Sequence, residues 1–166
     1  MISIDPVTLA VTSFAMVATA SPFVYYSYKL KKLTTANLAS FEEFSTSNNA
    51  VPTQHERWRN HYHLGLDCQS KKLVYHRFGS YPEQSIIDLN EVNKVSIQEK
   101  SHMIHVGKEK RHILEYLALQ FHFKDSSHSP KTVEIYDGEL FSDLAGERSI
   151  AEKWQRILEK NLKSPI

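Results

Sequence analysis

His61 and His63 stand two residues apart, which puts both imidazoles on one face of a strand, and His76 follows where a hairpin partner would face them. Three imidazoles are a known zinc ligand set. His102 and His105 make a second pair. Yet no Asp or Glu joins either group in a ligand pattern, and Cys68 is the single cysteine in 166 residues. Surface or half-buried histidines are the ordinary reading, so no metal and no other cofactor is expected. Nucleophilic chemistry fares no better. Ser126, Ser127 and Ser129 flank His128 in a polar stretch that reads as a turn, with nothing local to orient or activate a hydroxyl. Asp137, Gly138 and Glu139 have the composition of a strand exit. The residue types predict a protein that is not an enzyme.

A stronger signal lies in the N-terminal segment. Between Asp5 and Lys29 there is no charged side chain, and Lys29, Lys31 and Lys32 follow at once. As a helix, Pro6 to Tyr28 would reach about 34 Å, enough for a hydrocarbon core of about 30 Å. Three readings apply. A retained anchor is favoured by the length, by Tyr25, Tyr26 and Tyr28 at headgroup level, and by the basic flank. A cleaved signal peptide is favoured by Ala18, Thr19 and Ala20, which mimic a cleavage site, but the residues ahead of the run carry an acid and no Lys or Arg. A buried core helix would show a clearer polar stripe than Thr8, Thr12, Ser13, Thr19 and Ser21 provide. Pro22 removes a backbone donor and predicts a kink near that end. Under the positive-inside rule the lysines place the C-terminal side in the cytoplasm and the short N-terminus outside, as expected for a single-pass protein of the cell (inner) membrane. Ala15, Ala18 and Thr19 are small enough to let another helix approach, so membrane lipid and a membrane protein complex are the expected partners.

The remainder is water-soluble in character and long enough for one modest domain. A net charge of +1 excludes the basic excess of an ordinary nucleic-acid binder. One cysteine permits no internal disulfide, in agreement with a cytoplasmic domain. Oligomeric state is not legible. Residues 1–32 read as the anchor with its basic flank and 33–57 as a connector or stalk. In the connector Leu33, Leu38, Phe41 and Phe44 fall roughly on one side of a continuing helix, until Ser45 to Asn49 and Pro52 break it.

From residue 58 to 166 the hydrophobic period is two. His61 to Leu66 alternates, with Tyr62, Leu64, Leu66 and Cys68 on one face; Gln69, Ser70 and Lys71 turn, and Lys72 to Phe78 returns as a hairpin. Ser85 to Leu89 is a short strand, Val95 and Ile97 mark a fourth, and Met103 to Val106 a short fifth ended by Gly107 and the charged turn Lys108 to Arg111. Leu117, Leu119, Phe121 and Phe123 alternate with polar residues in the clearest strand. After the turn Asp125 to Pro130, Val133 and Ile135 mark the last. Glu147 to Leu162 carries Ile150, Trp154, Ile157, Leu158 and Asn161 at helical spacing, an amphipathic helix that must cover something apolar. Leu119, Phe121, Trp154, Ile157 and Leu158 are the predicted core.

About seven antiparallel strands and one C-terminal helix bearing a tryptophan, read from "LGLDCQSKKLVYHRF", "SIIDLNEV" and "AEKWQRILEKNL", resemble the bacterial-type pleckstrin-homology-like (PH-like) domain, here on a membrane anchor. The resemblance implies an α+β protein with a bent sheet plugged by the helix. It also implies two functions. One is a non-catalytic scaffold or accessory subunit whose domain docks on a partner. The alternative is a peripheral sensor of anionic headgroups or a small ligand, in which Lys71 and Lys72, with Lys29, Lys31 and Lys32, would meet the membrane surface. Arg77 lies on the same hairpin, but Tyr75 stands where a second basic residue would precede it, a departure from the headgroup-binding pattern.

Overall fold

The computed structural model describes residues 5–106 and 109–163. Gly107 and Lys108, part of the expected turn, lie outside the described residues. The chain divides into two units, Met1–Phe44 and Ser45–Ile166.

Helix α1 runs from Pro6 to Ser47, 42 residues, which is about 63 Å. Asp5 caps it: its carboxylate accepts from Val7 N at 3.3 Å and from the Thr8 hydroxyl at 3.2 Å, and Pro6 occupies the first turn, where a missing donor costs nothing. Over its most apolar 18 residues the mean hydropathy is 1.7 and none of that stretch is buried, so this is no core helix but a candidate membrane anchor or signal sequence. Its hydroxyls turn inward on the backbone. Thr12 donates to Thr8 O at 2.8 Å and Thr19 to Ala15 O at 2.9 Å. Pro22 leaves the Ala18 carbonyl without its amide donor, and Ser21 Oγ donates to it at 3.2 Å. The helix therefore continues through Pro22. It ends where the sequence says it should. Asn49 takes φ +52°, Ala50 N donates back to Ser45 O and Asn49 N to Thr46 O, both at 3.0 Å, which is a Schellman closure.

The second unit has seven antiparallel strands in two sheets. The first sheet orders β1 (Gln54–Trp58), β2 (Tyr62–Asp67), β3 (Lys72–Arg77) and β4 (Glu83–Asp88) in sequence; the second orders β5 (Val92–Val106), β6 (Glu109–Phe123) and β7 (Lys131–Asp137). Helix α2 (Glu147–Lys163) follows. The strand number matches expectation through one addition and one merger. β1 lies inside the segment read as connector: Gln-His-Glu-Arg-Trp is mostly exposed, as suits a polar edge strand. Val95–Ile97 and Met103–Val106 are one strand of 15 residues, not two. β7 pairs with β6 only as far as Tyr116, so β5 and β6 run beyond it as a two-stranded ribbon.

One core joins both sheets and α2. Tyr62, Leu64 and Leu66 of β2 face Leu119 and Phe121 of β6, with Ala151, Trp154 and Leu158 of α2 in the same cluster. The predicted core residues Leu119, Phe121, Trp154 and Leu158 are buried, and Ile157 is half-buried against them. Fully burying side chains of this size contributes about 1.5–3 kcal/mol each. Trp58 Nε1 donates to Ile135 O at 2.8 Å and so ties β1 to β7. Trp154 Nε1 donates to Glu56 at 2.6 Å, tying α2 to β1.

Candidate functional site

The histidines do not converge on one centre among the described residues. His61 lies just before β2, in the turn, with its ring edge-on to Tyr62 and Phe141 at 4.7 and 5.4 Å. His63 and His76 are cross-strand partners on β2 and β3. His55 stacks on His63 at 5.6 Å, and His76 meets Gln84 at 3.2 Å. His102 Nδ1 sits 2.8 Å from Glu115. Among the described residues no three His, Cys, Asp or Glu side chains are arranged to hold a metal.

Burial lowers the His63 ring to about 4, aided by the positive charge of His55, Arg57 and His76, and burial also lowers His76 and His61. His63 is therefore neutral at pH 7. When the chain unfolds, its ring recovers an ordinary value of 6.5 and takes up a proton that the folded form refuses. The unfolded state binds more protons between these values, so the contribution is complete above pH 6.5 and disappears as pH falls towards 4. The unfolding free energy of the Ser45–Ile166 fragment, read from urea melts, is expected to drop by about 2–3 kcal/mol across that window, with a flatter profile in His63→Gln. A wild-type profile that is level across the window would refute a buried neutral imidazole. Asp67 does not contribute in this range. Burial pushes its carboxyl up, but donors from Val51 N (2.9 Å), Gln69 N (2.8 Å) and Ser70 outweigh it and hold the group at about 2.

The hairpin lysines are placed by that Asp67-capped turn. Lys71 takes φ +53° there. Lys72 Nζ donates to Asn48 O at 2.8 Å. Arg77, on the same hairpin, pairs with Glu134 at 2.8 Å and Glu83 at 3.4 Å and donates to Tyr81 O. Lys72 and Arg77 are thus committed within the protein. Lys29, Lys31 and Lys32 are exposed on α1, as are Ala15, Ala18, Thr19 and Pro22.

A site that the sequence reading missed lies at the base of the ribbon. β6 carries one extra residue, Glu115, between Leu114 (opposite Ser101) and Tyr116 (opposite Lys100). This bulge turns Glu115 to Lys100 (3.2 Å) and His102, and the Lys100 hydrogen bond is the main cause holding its carboxyl below the usual range. Across from it β7 ends, and Gly138 N donates to Glu115 O at 2.7 Å. Between the two runs an open groove of about 470 Å³, floored by Leu114, Tyr136 and Phe141. Arg59, in the β1–β2 turn, stands 4.4 Å over the Phe141 ring and pairs with Glu147 and Asp143. A Cβ on Gly138 would lie 3.0 Å from Glu115 O and 3.2 Å from its Cα, and backbone cannot yield as a flexible side chain does. Gly138→Ala is accordingly expected to cost about 1–3 kcal/mol in a urea melt. An unchanged midpoint would mean that the bulge and turn do not meet so closely. In the sequence only the strand exit Asp137, Gly138 and Glu139 marked this place.

No family model, no curated protein and no solved structure matches this chain.

Proposed function

We propose that this is a non-catalytic, membrane-anchored assembly protein, an accessory subunit or scaffold of a membrane protein complex. Its N-terminal helix crosses the cell (inner) membrane once, with the N-terminus outside. The sheet unit is a cytoplasmic PH-like domain that docks on a partner. The observation that carries the reading is the Pro6–Ser47 helix, whose hydrophobic stretch is unburied, has hydroxyls bonded to the helix's own carbonyls, and is followed within the same helix by three exposed lysines. Such self-satisfied hydroxyls suit hydrocarbon, where an unbonded polar group costs several kcal/mol. The strand order of four, then three, then a helix supports the PH-like assignment. The lipid-sensor alternative draws little from the hairpin, since Lys72 and Arg77 already have internal partners.

Purification of the tagged full chain in mild detergent tests this. A stable partner is expected to co-purify, and a probe on the N-terminus is expected to react only from outside the cell. Isolation of the chain alone, with salt-sensitive liposome binding by the Ser45–Ile166 fragment, would favour the sensor.

A further inference from the structure

The assembly reading leaves open where a partner would dock, and the groove at the ribbon base answers it. Among the described residues no strand pairs with β6 on its β7 side beyond Tyr116. Glu115 O already accepts the Gly138 amide, so the open edge is Glu109–Leu114, which presents backbone donors and acceptors without a neighbouring strand over about 20 Å of extended chain. The groove opens beside this edge, and its floor is apolar: Leu114 and Tyr136 are nearly buried, and Phe141 is half-buried. Ile113, at its rim, is 41% exposed.

The charges around it are unequal. Glu115 is balanced by Lys100, with His102 beside it. On the facing wall Asp137 and Glu139 have no cationic partner among the described residues; Asp137 Oδ1 accepts the Glu139 amide at 2.8 Å, and the Glu139 side chain is exposed. An occupant must then satisfy three demands at once. It must be extended to hydrogen-bond the edge, apolar on one face to cover the floor, and basic where it meets Asp137 and Glu139.

We propose that this groove is the docking site for an extended segment of a partner protein, which adds to β6 as a strand and sets a Lys or Arg side chain against Asp137 and Glu139. The inference rests on the assembly reading and names the partner's chemistry within it. Strand addition supplies affinity through the main chain, and the groove supplies selectivity through alternate side chains. The opposite charges guide the encounter and fix the register.

The test uses the full chain in detergent and a fluorescein-labelled, end-blocked seven-residue peptide alternating lysine with valine. Saturable binding is expected by anisotropy. The glutamate–valine counterpart, and a backbone N-methylated lysine peptide of the same charge, are each expected to bind at least about tenfold more weakly. Glu139→Lys and Ile113→Lys, both at exposed positions, are expected to weaken the lysine peptide by about five- to tenfold while leaving the thermal melt in place. Equal binding of the methylated peptide would overturn strand addition. Equal binding of the glutamate peptide, no binding at all, or indifference to both substitutions would overturn the site. A native partner that still co-purifies with both variants would also overturn the site while leaving the assembly reading intact. If the peptide results hold and no partner co-purifies, the assembly reading fails and the peptide site stands.

Discussion

Replacing Trp154 by alanine is expected to lower the stability of the Ser45–Ile166 fragment by about 3–5 kcal/mol. The side chain is 1% exposed, at the centre of the face that α2 lays on both sheets. Its loss removes the transfer free energy of an indole and leaves a cavity that β6, pinned on both sides by β5 and β7, is poorly able to fill. It also deprives the Glu56 carboxylate of the indole donor, leaving it, among the described residues, the Lys153 ammonium at 3.1 Å. In a domain of this size such a loss should depress Tm by more than about 10 °C. Trp154→Phe, which keeps a six-membered aromatic ring but loses the second ring and the N–H donor of the indole, should recover part of the difference. A fragment that melts unchanged with alanine at 154 would remove α2 from the core.

The second large effect belongs to Glu134. This carboxylate lies buried between the sheets, where it accepts from the Tyr62 hydroxyl and from Arg77, each at 2.8 Å. Burial and this hydrogen bond push the Tyr62 phenol far above its usual range, so it remains a neutral donor at any physiological pH. The pair is no simple source of stability, because removing two charges from water costs about as much as their attraction returns. Its asymmetry gives the sharp expectation. Glu134→Ala takes the buried acceptor from the Tyr62 hydroxyl and leaves the Arg77 guanidinium, among the described residues, only the more exposed Glu83 and the Tyr81 carbonyl, and should cost about 3 kcal/mol. The double variant Glu134→Leu with Arg77→Met removes both charges and should cost markedly less, about 1–2 kcal/mol. Urea melts of the three proteins decide it. A double variant as unstable as the single one would mean that packing, and not the stranded charge, sets the penalty.

These two sites also show what was legible in the sequence. Trp154 was plain, because an amphipathic helix with a single tryptophan on its apolar face has to bury it. Leu117 to Phe123 was equally plain, since β6 is half-covered there and its pattern alternates. Farther along the same strand the pattern fails for a physical reason. Past the end of β7 both faces of the ribbon meet water, so Met103 and Ile113 alternate with nothing and the strand reads as separate fragments. β1 was invisible because an edge strand has only Trp58 to bury. Glu134 reads in sequence as an ordinary polar position; its burial follows from contacts with Tyr62 and Arg77, 72 and 57 residues away, which no local pattern records. Arg59 is a similar case. It takes φ +52° in a tight turn that favours Asn or Gly, and its ion pairs with Asp143 and Glu147 provide the compensation that no local rule records.

The helix behaves differently, since its evidence is composition. The uncharged run and the lysines after it were read directly, and the Schellman closure at Asn49 falls at the expected break. The passage through Pro22, where Ser21 takes over the orphaned Ala18 carbonyl, needed coordinates.

Alkaline carbonate extraction of membranes from cells making the untagged full-length chain, with the intact mass read afterwards, tests the whole account most directly. The account predicts that the protein stays in the pellet at the mass of the uncut chain. Release into the supernatant, or a product that begins at Ser21, would contradict it.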